Sequence, residues 1–202
     1  MFDARMRLLI DRPLKLLAVP LVRQGVSADQ MTLIGLVVGL SAGFVIAIGY
    51  YSIGLGLILF SRLADGLDGA IARLTTKTDF GGYFDILSDF AFYAAIPVGF
   101  GLSAPENMAP ALVLMGSFIL SGVSFLAFAI LAAKRGITTE RRGSKSFYYV
   151  GGLTEGTETI ALFVLACLKP NWFPWLAYSF ATLCMLTAIG RTLQAQREFN
   201  SL

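Results

Sequence analysis

The stretch "ADGLDGAIARLTTKTDFGGYFDILSDF", residues 64–90, sets Asp65, Asp68, Asp85 and Asp89 on two segments whose flanks are almost wholly apolar. In a helix, Asp65, Asp68, Gly69 and Ala72 lie three and four apart and share one face, and Asp85 and Asp89 share another. Packed face to face, the two segments would gather four carboxylates in a chain that has no histidine. Like charges that close repel strongly away from bulk water, and a divalent cation relieves the repulsion. All-oxygen donors suit Mg²⁺, Mn²⁺ or Ca²⁺, and Mg²⁺ usually completes its shell with phosphate oxygens. The small residues Gly66, Gly69, Ala70, Ala72, Gly81 and Gly82 let a helix or a ligand approach the backbone. Arg73, at the end of the first segment, can contact a phosphate. A purely structural reading pairs the acids with Arg62 and Arg73, but two arginines cannot balance four aspartates, and ionisable groups inside a membrane are functional by default.

Composition shows what surrounds these segments. Of 202 residues, 56% are hydrophobic and 14% charged, against about a quarter charged in a soluble domain; the mean hydropathy is +0.71. Stretches of about 20 apolar residues, enough to span a bilayer, recur along the chain. The sequence predicts an all-α integral membrane protein of one domain, residues 1–202. The lack of histidine leaves proton transfer and metal binding to carboxylates. Cys167 and Cys184 lie in apolar stretches and read as buried thiols. The net charge of +3 is mild, and no basic tract points to nucleic acid.

Residues 1–28 carry Arg5, Arg7, Arg12, Lys15 and Arg23 among Phe2, Met6, Leu9, Pro13, Leu16 and Leu17 at helical spacing, as expected of an amphipathic helix lying in the headgroup region. No cleavable signal is expected there, because charges interrupt every apolar run. Six spans follow, at roughly 30–50, 52–73, 80–102, 108–133, 147–168 and 172–195, so the expected bundle covers 30–195. Breaks fall at Ser103–Pro105, Lys134–Gly143 and Lys169–Asn171. The N-terminal arm, the 73–79 link, the 134–145 link and the end from Arg191 hold fourteen of the 16 Lys and Arg residues. The excess of positive charge on cytoplasmic loops then puts both termini, and the end of the bundle that carries the aspartates, on the cytoplasmic side.

The run Asp65-x-x-Asp68-Gly69-x-x-Ala72-Arg73, followed by Gly81-x-x-x-Asp85-x-x-x-Asp89, resembles the signature of the CDP-alcohol phosphotransferases and matches all of its fixed residues. Seven residues separate Arg73 from Gly81, where the family has about eight, so the glycine position falls on Gly81 or Gly82. Upstream, Val26 to Thr32 is similar to the family's TPNxxT lead-in, with Ser27, Ala28 and Asp29 replacing its first three residues. The resemblance implies transfer of a phosphatidyl group from CDP-diacylglycerol to a polar alcohol with release of CMP, in a homodimer in the bacterial inner membrane. It implies Mg²⁺ or Mn²⁺, two ions per site, on Asp65, Asp68, Asp85 and Asp89, with Asp89 also the general base. By the same resemblance the CDP-lipid lies against Thr32, Asp65, Gly69, Ala72, Arg73, Gly81 and Gly82.

The acceptor is less marked. Arg141, Arg142 and Lys145 could collect a phosphate at the mouth of a pocket containing Glu155 and Glu158, and such a basic mouth favours glycerol 3-phosphate. Inositol phosphate, choline and serine stand as other acceptors. The same residues also read as a positive-inside loop, a snorkelling lysine and glutamates bonded to neighbouring helices. From another class, buried acids also suit a cation- or proton-coupled transporter, although no inverted repeat is visible.

Overall fold

The computed structural model describes residues 3–136 and 154–200, with side chains from residue 11 onward, and every regular element in it is helical. The helices are α1 (Asp3–Arg23), α2 (Ala28–Ala47), α3 (Tyr51–Leu74), α4 (Asp79–Ser103), α5 (Pro105–Lys134), α6 (Gly156–Leu168) and α7 (Phe173–Asn200). One 3₁₀ turn, Pro170–Trp172, joins α6 to α7. The expected breaks at Ser103–Pro105 and Lys169–Asn171 fall between helices.

Among the described residues, four helices, α2, α4, α5 and α7 with its preceding turn, are long and apolar enough to cross a membrane. α3 has 24 residues but carries Arg62, Asp65, Asp68 and Arg73. α6 has 13 described residues, and positions 147–153 of the expected fifth span lie outside the described residues.

α2 shows how such a sequence packs in lipid. Its large side chains Leu33, Val37, Leu40 and Phe44 are exposed, while Gly35, Gly39, Ala42 and Gly43 are buried on the opposite side. Lipid tails are as apolar as leucine, so close backbone packing rather than burial of large side chains holds such helices together. A Cβ on Gly35 would sit 3.3 Å from Ala64 of α3, and one on Gly43 would sit 2.5 Å from the Ala95 carbonyl oxygen of α4. Between them, a Cβ on Gly39 would meet Phe92 of α4 and Ser61 of α3. α2 is therefore clamped against both helices that carry the aspartates.

Deeper in the bundle, Phe92, Phe100, Phe163 and Phe173 are fully buried and form the aromatic core with Ile46, Ile58 and Leu114. A second core, at the end where the aspartates lie, packs Leu14 and Ala18 of α1 against Ala64, Leu67 and Ile71 of α3. Leu14 fits against Gly66, where any Cβ would strike its methyl groups. Leu16 and Leu17 of α1 remain exposed.

Candidate active site

Two turns shape the opening at this end. α1 stops at a left-handed Gly25 (φ +80°). There Val26 N–H bonds back to the Leu21 carbonyl and Gly25 N–H to the Val22 carbonyl, a closure that needs a residue without Cβ strain. Ser27 then caps α2, accepting from Gln30 N–H at 3.2 Å, while the Gln30 side chain accepts from Ser27 N–H. Across the opening, Thr78 caps α4 by accepting from Gly81 N–H at 2.9 Å.

These turns enclose a cavity of about 570 Å³. Asp68 and Asp85 line it with Thr32, Gly69, Ala72, Arg73, Gly81 and Gly82, so every residue assigned to the CDP-lipid from the sequence is present except Asp65. A Cβ on Gly82 would meet nothing within 4 Å, whereas one on Gly81 would lie 2.9 Å from Thr78 Oγ1 and 3.1 Å from Asp29 Oδ1. Gly82 thus presents bare backbone, and Gly81 serves the cap. Sequence reasoning missed Thr75, Thr76, Lys77 and Thr78 of the link, which also line the cavity. The signal was a polar link between two aspartate-bearing helices.

Carboxylate oxygens of Asp65, Asp68 and Asp85 lie within 4.8 Å of one another, close enough to share one cation. Asp68 is buried and accepts from Thr32 Oγ1 at 2.7 Å; the Thr32 hydroxyl also reaches the Ala28 carbonyl at 3.1 Å. This set of hard oxygen donors fits Mg²⁺ or Mn²⁺. The fourth aspartate, Asp89, is beside them and paired with Arg62. Arg62 Nη1 donates to Asp89 Oδ1 at 2.7 Å and lies 3.4 Å from Asp65 Oδ1. Its guanidinium covers the Phe92 ring at 3.9 Å. Of the four expected aspartates, three bring oxygens within 4.8 Å of one another, and Asp89 is next to them in contact with Arg62. Position 62 lies three before Asp65, on the same helix face, so the spacing signals the Arg62–Asp65 contact but not the bond to Asp89. Arg73, at the cavity wall, pairs with Asp11 of α1 at 3.3 Å, an exposed contact worth little by itself.

The expected acceptor residues fare differently. Arg141, Arg142 and Lys145 lie outside the described residues. Glu155 and Glu158 are at the start of α6, not well inside a span, because the helix begins at Gly156. Glu158 accepts from Glu155 N–H at 3.1 Å, and neither residue lines the cavity. Nearby, Arg191 of α7 donates to the Ser121 carbonyl of α5 at 3.0 Å and is attracted by Glu155.

The sequence profile of CDP-alcohol phosphatidyltransferases matches residues 26–190. Inner membrane protein YnjF of Escherichia coli K12 is 48% identical over 203 residues, 96% of this chain and 98% of its own. The archaetidylinositol phosphate synthase of Pyrococcus horikoshii is 28% identical over 197 residues, 96% of this chain and 97% of its own. Among solved structures, Mycobacterium tuberculosis phosphatidylinositol phosphate synthase (PgsA1) with CDP-DAG bound superposes with a TM-score of 0.72 at 19% identity, covering 92% of this chain and 94% of that one. The same enzyme with manganese and citrate gives 0.69 at 20% identity, covering 90% and 88%. Those two likenesses concern the fold, while the profile covers most of the sequence, motif included: the chain belongs to the CDP-alcohol phosphatidyltransferase family.

Proposed function

We propose that the protein transfers the phosphatidyl group of CDP-diacylglycerol to a phosphorylated polyol, releasing CMP, at the cytoplasmic face of a bacterial inner membrane. The observation that carries this is the cavity in which Asp68 and Asp85 stand among Gly69, Ala72, Arg73 and Gly82. Asp65, Asp68 and Asp85 would hold an Mg²⁺ or Mn²⁺ ion, whose chemistry when bound is to set positive charge against the pyrophosphate and the departing CMP. Gly69 and Gly82 let the phosphates approach the backbone, and Arg73 contacts one of them. The acceptor hydroxyl oxygen forms a bond to the lipid phosphorus as the anhydride P–O bond to CMP breaks. Asp89 takes the hydroxyl proton; Arg62 engages its Oδ1, and in this proposal the other oxygen receives the proton.

Glycerol 3-phosphate is the acceptor favoured by the basic stretch Arg141, Arg142 and Lys145. Inositol phosphate is the second reading, favoured by the names of the Pyrococcus and Mycobacterium proteins. The E. coli relative's name supports the inner membrane, and the positive charge of the arm, of Arg73 and of Lys77 supports the cytoplasmic face. α3 and α6 complete six spans, α1 lies along the headgroups, and two chains pair. The transporter reading has no support in this family. Purified protein is to be incubated with CDP-diacylglycerol, Mg²⁺ and each of glycerol 3-phosphate, inositol phosphate, choline and serine in turn. CMP release with one phosphorylated polyol is expected, and absence of CMP with all four would overturn the proposal.

A further inference from the structure

We propose that Asp11 of α1 is a positioning residue for the donor lipid: it holds the Arg73 guanidinium so that one arm overhangs the cavity at Gly69, where a phosphate can meet it. This rests on the reading that the cavity takes the CDP-lipid and that Arg73 contacts one of its phosphates. Arg73 Nη2 lies 3.3 Å from Asp11 Oδ1. The other arm lies over α3, since a Cβ on Gly69 would sit 3.4 Å from Arg73 Nη1. Gly69 and Arg73 both line the cavity. The guanidinium therefore bridges from α1 to bare backbone of the cavity wall, with Nη2 held and Nη1 left to donate.

Packing fixes the helix that presents Asp11. Three residues on, Leu14 is buried against Gly66 of α3. One turn further, Ala18 is fully buried on the same face. The end of α1 then lines the cavity with Val22 and Gly25. Among the described residues, Asp11 is the only ion-pair partner of Arg73. Both side chains are about half exposed, at 52% for Arg73 and 56% for Asp11, so the pair adds little to stability and acts on orientation instead. An arginine side chain has much rotamer freedom to lose when it engages a ligand. A partner that has already fixed the fork leaves less to lose when the lipid arrives. In the proposed arrangement α1 lies along the headgroups, so this one contact ties the donor site to the membrane surface.

Full-length protein in detergent micelles with Mg²⁺ is to be titrated with CDP-diacylglycerol by calorimetry. Asp11→Asn is expected to raise Kd about two- to fivefold, the scale of an exposed ion pair, while the thermal midpoint of the ligand-free protein stays where it was. In an Arg73→Ala background the same change should leave Kd where Arg73→Ala alone puts it, because the arm to be held is gone. A Kd unmoved by Asp11→Asn, or an equal rise in both backgrounds, would overturn the inference. No binding of CDP-diacylglycerol by wild type would instead sink the reading on which the inference stands.

Discussion

Thr32 is a single hydroxyl placed to do two things. It ties α2 to the buried Asp68 at 2.7 Å and thereby aims that carboxylate at its partners. A hydrogen bond to a charged group is worth about 1.5–3 kcal/mol, so Thr32→Val is expected to lower kcat/KM by about tenfold or more, with Thr32→Ser restoring most of it in a CMP-release assay. Asp89→Asn keeps size and one oxygen but cannot take a proton. It should keep binding CDP-diacylglycerol while kcat falls about 10²–10⁴-fold, the usual cost of losing a general base. Turnover within a few-fold of wild type would move the role to another carboxylate. The aspartates themselves were legible in the sequence, because spacing fixes which face of a helix they share. Their division into three and one was not. Arg62 reaches Asp89 as well as Asp65, and that reach depends on Phe92 and Ser61, which come together only once α2, α3 and α4 are packed.

Among the elements, the two glycines at the start of α4 separate the cavity from the helix cap. Gly82→Leu would project into the cavity from a position with nothing within 4 Å, so KM for the CDP-lipid should rise with the melting temperature unchanged. Gly81→Leu would strike Thr78 Oγ1 and Asp29, and it should lower the melting temperature as the α4 cap is disturbed. The glycine seam of α2 is less forgiving. Gly43→Leu meets backbone of α4 at 2.5 Å and should destabilise the bundle by about 1–3 kcal/mol or more, as overpacking does, seen as a lower thermal midpoint in detergent. Helix positions were largely readable from hydropathy and Pro/Gly breaks: Ser103–Pro105 divides α4 from α5 as expected. The start of α6 was not, since Glu155 and Glu158 act at its first turn, and a capping carboxylate in an apolar stretch looks the same as one buried further along.

At the level of the whole molecule, the count of spans shows where hydropathy loses information. α3 is not among the helices apolar enough to cross a membrane by composition, because any 18-residue stretch of it contains Arg62, Asp65 and Asp68, the charges placed at the proposed site. The six-span proposal is tested by reporter tags at both termini, each expected in the cytoplasm; one tag outside would refute it. Chelation is expected to abolish CMP release and added Mg²⁺ to restore it, with full turnover in chelator refuting metal dependence. In the metal-free protein Asp68→Asn should raise rather than lower the thermal midpoint, because removing one of three crowded carboxylates relieves repulsion.

The seam of Gly35, Gly39 and Gly43 also has a bearing on ion choice. Helices held at backbone contact act as a gauge of fixed bore, since parting them forfeits many small dispersion contacts at once. Ca²⁺ needs oxygens at about 2.3–2.6 Å and six to eight of them, whereas Mg²⁺ takes six at about 2.0–2.1 Å and keeps waters among them. Calcium, with its longer bonds to oxygen, would have to part the carboxylates against the seam. Added to the magnesium-supported reaction, it is expected to compete for the site and slow CMP release without sustaining turnover alone.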